Sequence, residues 1–120
     1  MKQKLIDGLV KCGFVEGKTL MLQGTLAQET PYPDEFVTFW TDYTADNSHF
    51  DNGVNSIDWH FTVIYYTNDP ALISSRPKEI IDTLRLAGFI PQGRGQDIPS
   101  DEQTHTGWAM EFLCVENLNK

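Results

Sequence analysis

What this sequence lacks bounds it before anything it contains. Its two cysteines, Cys12 and Cys114, allow at most one disulfide and match neither a disulfide framework nor a zinc spacing, so both thiols are expected free and buried. Basic residues are few: nine Lys and Arg face seventeen Asp and Glu, for a net charge of −8. Nucleic-acid affinity rests on neutralising phosphates with cations, so direct, sequence-specific DNA binding is disfavoured. Long hydrophobic runs are missing as well. The longest, such as Val63 to Tyr66, fall far short of the roughly 20 residues of a membrane span. Asp7, Gly8 and Lys11 interrupt the apolar residues near the N-terminus, so neither a membrane segment nor a secretory leader is expected and the protein should remain inside the cell that makes it.

Catalytic signatures are equally scarce. No Gly-x-Ser-x-Gly elbow surrounds Ser74, Ser75 or Ser100, and no His or acid stands at a recognisable partner spacing. Gly93-Arg94-Gly95 has neither the spacing of a phosphate loop nor that of a dinucleotide fingerprint, and acidic Asp97, Asp101 and Glu102 follow it; a turn with a solvated arginine is the expected reading. His49, His60 and His105, with Asp46, Asp51 and Asp58, lack the His-x-x-x-His or Glu-x-x-His spacing of a metal site. The chain is therefore read as a non-enzyme without metal or cofactor.

What the chain does hold is a foldable pattern. At 120 residues with 40% hydrophobic content it is the size of one domain, residues 1–120, with enough apolar surface for a core. Ile57, Trp59, Phe61, Val63 and Tyr65 alternate with Asp58, His60, Thr62 and Ile64, which predicts a strand with a buried face. Leu5, Ile6, Leu9 and Val10 recur at helical spacing before Gly13-Phe14, predicting a helix over about Lys2 to Cys12 that ends on a left-handed glycine. Glu79 to Ile90 repeats this device, matching Lys4 through Val15 at Ile, Asp, Leu, Gly and Phe; two sheet-covering helices can converge on such an echo. Further strands are expected at Thr19 to Leu26, Phe36 to Tyr43 and Gly107 to Val115. The fold class is then α+β: a single, mainly antiparallel sheet of about four strands with two helices on one face, in the order α-β-β-β-α-β.

Two features point toward association. Ile64 and Tyr66, with either Phe36 and Trp40 or Val37 and Phe39, should lie on a sheet face that helices do not cover, and a contiguous apolar patch is unusual on a monomer. Thr44 to Ser56 and Pro91 to Thr106 read as long polar loops, a length that in compact domains tends to be functional or disordered. They place His49, Asp51, Asn52, Arg94, Asp97, Asp101 and His105 as candidate interaction residues.

Tyr65-Tyr66-Thr67-Asn68-Asp69-Pro70 opening a helix, Leu84-Arg85-Leu86-Ala87-Gly88-Phe89 closing it, and His105-Thr106-Gly107-Trp108-Ala109-Met110-Glu111-Phe112 after a glycine-bearing loop together give the chain a likeness. From Phe36 to Val115 it resembles the tail terminator and tail-completion proteins of long-tailed bacteriophages and prophages. The resemblance implies a virion structural protein without catalytic residues. Such proteins assemble as rings, often hexameric, at the end of the tail tube, and contact the tube protein and the head connector. It also implies residence in the host cytoplasm during assembly and then in the virion tail. The residues alone leave a different class open, a small α+β ligand-binding or regulatory domain without catalysis, with a pocket between the helices and the Pro91 to Thr106 loop.

Overall fold

The computed structural model describes residues 1–16, 19–22, 33–50, 53–98 and 105–117, with the backbone alone at 21, 22, 47–50 and 53–55. Apolar residues at helical spacing form α1 (Lys2–Lys11) and, after a 3-10 turn over Pro70–Ser74, α2 (Arg76–Leu86). The strands are β1 (Leu20–Leu22), β2 (Glu35–Phe50), β3 (Gly53–Thr67), β4 (Ile90–Pro91), β5 (Gln96–Ile98) and β6 (Thr106–Asn117). The chain is an α+β fold, two helices on one mainly antiparallel sheet. Strands β1, β2, β3, β6 and β4 lie side by side in that order, and β5 pairs with β6 further along the edge that β4 occupies.

Strand count, order and loops differ from the sequence expectation for identifiable reasons. Of the strand expected over Thr19 to Leu26, the described residues show only Leu20–Leu22, and it pairs parallel to β2 rather than antiparallel. About a dozen residues separate the two, the length a parallel crossover needs. Thr44 to Ser56 is mostly strand rather than loop, because the pairing of β2 with β3 runs from Glu35↔Thr67 to Phe50↔Gly53 and leaves only residues 51 and 52 between them. Thr44, Ala45 and Asp46 are all exposed. With no buried face over these three residues, β2 has no alternation here to betray it.

The segment expected as a loop from Pro91 to Thr106 likewise lies partly along the free edge of β6. Ile90 and Pro91 pair with Leu113 and Phe112, the Gln92 N–H donates to the Glu111 carbonyl at 2.9 Å, and Gln96–Ile98 pair with Ala109, Trp108 and Gly107. Edge N–H and C=O groups need partners, and the chain next to them supplies those partners.

Both helices cover the sheet face that carries Val37, Phe39, Phe61, Val63, Tyr65, Met110, Phe112 and Cys114, and bury Leu5, Leu9, Ile80, Ile81 and Leu84 against it. Ile57 and Trp59, expected in the core, are only partly buried because they lie toward the hairpin end of β3; the Trp59 indole N–H donates to Glu116 Oε1 at 3.1 Å. The helices meet at Gly8, where an added Cβ would lie 2.5 Å from Leu84 Cδ2.

The sequence echo is also a structural one. Each helix ends on a glycine at positive φ, Gly13 at 101° and Gly88 at 102°, and each sends the next N–H back to a leucine carbonyl, Phe14 to Leu9 and Phe89 to Leu84. Both phenylalanines are buried. The Lys4 ammonium lies 5.5 Å from the centroid of Phe89 and the Arg76 guanidinium 4.8 Å from that of Phe14. Each helix thus places a cation from its first turns over the C-terminal end of the other, where the helix dipole is negative.

Beyond the helices the hairpin continues. Sixteen residues of β2 span about 53 Å at the rise of a strand, close to the 54 Å long axis of a molecule only 28 Å and 23 Å across. Its radius of gyration is 15.5 Å, against about 13.6 Å for a compact domain of this length. The excess reflects the projecting arm.

Candidate interaction surface

The sheet has a helix-covered face and an opposite face, and strand register assigns the residues of the second. In its middle lie Thr38, Ile64 and Ala109, paired across three strands. Ile64 was expected to be exposed here and is not: it is 5% exposed. A residue on the central strand has neighbours on both sides, and Trp40 lies diagonally across from Ile64 on β2 while Tyr66 follows it on the same face of its own strand. Phe36 is buried toward the end of the face away from the hairpin tip, its ring stacked 4.9 Å from that of Tyr66 and edge-on to that of His105 at 5.9 Å. Tyr66 keeps partial exposure.

Exposed apolar surface on this face lies further toward the arm. Between Thr41 and Tyr43 the β2–β3 register slips, placing Asp42 at a bulge. A bulge re-aims side chains, and here Asp42 accepts the Thr62 hydroxyl, its two oxygens 2.7 and 2.8 Å away, while Tyr43 stacks on His60 at 4.1 Å. His60 pairs with Leu113 and Leu113 with Ile90. Tyr43, His60, Leu113 and Ile90 form one row across four strands, with Val115 beside it. Tyr43, Ile90 and Val115 are 55%, 50% and 43% exposed.

Next to this row runs a cleft of about 330 Å³ lined by Asp42, Tyr43, His60, Phe61, Gln92, Glu111 and Phe112. A second hollow of about 200 Å³ continues past Gln92 and Glu111 to Gly93, Arg94, Gly95, Gln96 and Ala109. Glu111 makes no side-chain bond among the described residues. The surface is thus aromatic and aliphatic along one side and acidic along the other, a combination suited to an apolar group carrying a positive charge.

The residues singled out from sequence do not converge. His49 lies in β2 opposite Val54, near the tip of the arm; Asp51, Asn52 and Asp101 lie outside the described residues. Arg94 and Asp97 are exposed on the segment along β6, where the Arg94 carbonyl accepts the Trp108 indole N–H at 2.9 Å. His105 precedes β6 at the opposite end of the sheet from the hairpin tip, with Nε2 2.8 Å from the Pro33 carbonyl. The bulge at Asp42 and the exposed row were missed. Their only sequence signal is the break in β2 alternation, where Tyr43 follows Phe36, Thr38 and Trp40 on one face across an odd step.

Perturbed titrating groups gather elsewhere. Burial, with Glu35 accepting the Tyr65 hydroxyl at 3.0 Å, pushes the Tyr65 phenol well above its usual range. Burial alone would lower the Arg76 guanidinium, but its bonds to Glu35 and Glu79 raise it on balance. Arg76 also donates to the Cys12 carbonyl at 3.0 Å, so its work is to tie α2 to α1 and to β2. Burial raises the Cys12 thiol, which leaves it a poor nucleophile.

Among the described residues no group of three His, Cys, Asp or Glu could hold a metal ion, and no helix is long and apolar enough to cross a membrane. Comparison of the sequence with protein-family models and with curated proteins finds no match.

Proposed function

We propose that this chain is a structural subunit of a long-tailed phage or prophage virion, forming a ring at the end of the tail tube and joining tail to head. The observation that carries the reading is the division of the molecule into a helix-backed body and a projecting strand arm. A body with an exposed apolar row suits contact with neighbouring copies, and an arm suits reach toward a different protein. Net charge of −8 suits a lumen through which DNA must slide without sticking. The partners are other copies of the chain, the tail tube protein and the head connector; the sites are host cytoplasm during assembly and then the virion tail.

Deleting the gene from its phage tests this directly. Heads and tails should accumulate unjoined, and purified protein added to the lysate should restore infectious particles. Normal particles from the deletion would overturn the proposal. The cleft beside Tyr43 and His60 favours a second reading, a non-catalytic ligand-binding domain, since about 300 Å³ is the lower end of small-molecule pockets. A small molecule that saturates the purified protein, with no effect of the deletion on particles, would select that reading.

A further inference from the structure

Leu86 closes α2 and is 91% exposed, an unusual state for a large aliphatic group at the end of a helix whose Ile80, Ile81 and Leu84 are buried. Arg85 beside it is also exposed and forms no ion pair among the described residues. The sheet face that α2 does not cover holds the converse: a cleft of about 330 Å³ walled by Tyr43 and His60, with Asp42 and Gln92 also lining it and Glu111 exposed at its side. Knob and cleft belong to opposite faces of one sheet, so a molecule cannot fill its own cleft. A second copy can.

We infer that the last turn of α2 in one copy docks on the open sheet face of the next, Leu86 entering the cleft against Tyr43 and His60 while Arg85 pairs with Glu111. This rests on the reading of the chain as a ring-forming subunit and names the contact. The occupant follows from size and charge together. A four-carbon side chain fits the cleft with room for its neighbours, and the guanidinium meets a carboxylate that has no side-chain partner among the described residues. Because knob and cleft are different patches, the contact is heterologous. Such contacts propagate head to tail and close into a ring when the rotation between copies permits.

Sedimentation of the purified chain up to millimolar concentration tests it. Wild type should self-associate, and Leu86→Glu, Arg85→Glu and Glu111→Arg should each weaken association by about tenfold or more. All three sites are exposed, and an unchanged urea midpoint would confirm that folding is intact. The double variant Arg85→Glu/Glu111→Arg should recover association to within a few fold of wild type. Lys78→Glu, an equal charge change on the same helix, should leave it unaltered. A wild type that stays monomeric, a Lys78 change as damaging as the Arg85 change, or a double variant no better than the singles would each overturn the contact. The two proposals fail separately: a working charge swap in a chain that tail completion does not need removes the virion role alone, and a monomer that still completes tails removes the contact alone.

Discussion

Arg76 has a side chain only 16% exposed, yet it satisfies Glu35, Glu79, a helix-end carbonyl and the face of Phe14. Tyr65 shares Glu35 with it. Because burial raises the Tyr65 pKa in the folded state, the folded chain holds that proton where the unfolded chain releases it. The associated stability is complete below about pH 10 and is lost as pH climbs past that value. Urea midpoints of wild type and Tyr65→Phe between pH 8 and 11 should show the steeper alkaline decline in wild type; parallel curves would refute the assignment. Thr38 makes the opposite case. Its hydroxyl is buried with no partner among the described residues, so Thr38→Val should raise stability by about 0.5–1 kcal/mol in urea unfolding, and a loss would mean the hydroxyl is bonded after all. Neither effect can be read from sequence. Glu35 and Arg76 are 41 residues apart, and only the fold brings them together.

Among the elements, the helices and the central strand were the most legible because each carries a periodic apolar face, and Leu5, Leu9, Phe61, Val63, Tyr65, Ile81 and Leu84 are buried as their spacing predicts. Leu84 also fills the space against Gly8. Leu84→Ala should cost about 2–5 kcal/mol, checked by the urea midpoint. Strands held by backbone pairing alone were illegible: β4 and β5 are two and three residues long, and β2 is mostly polar from Thr44 to His49. This predicts uneven protection. Hydrogen exchange at Thr44 to Asp46 should be much faster than at Phe61 to Tyr65, since few buried contacts back the arm; equal rates would contradict its independence from the core. The candidate surface was missed for a related reason. A bulge displaces side chains by one position, and no residue type marks where it occurs.

For the molecule as a whole, body and arm should separate by function. Replacing residues 47–56 with a two-residue Asn-Gly turn keeps the hairpin closable and leaves the helix-packed core untouched. The melting temperature should stay within a few degrees while tail completion fails in a complementation assay. Infectious particles at normal yield would show that the arm is dispensable, and a collapse in melting temperature would show that it belongs to the folding unit. The excess of acidic over basic residues was plain from composition, but the division into body and arm was not, because an exposed ladder and a polar loop have the same composition.

The reciprocal cations over Phe14 and Phe89 also bear on how the chain is made. The Arg76 guanidinium bonds a carbonyl 64 residues earlier, and α1 buries Leu5 and Leu9 against strands and a helix that all follow it. On the ribosome, α1 emerges before every strand and the helix that it covers. Its apolar stripe must wait, open to chaperones and to other nascent chains, until Phe89 has cleared the exit tunnel and the two helix ends can close on each other.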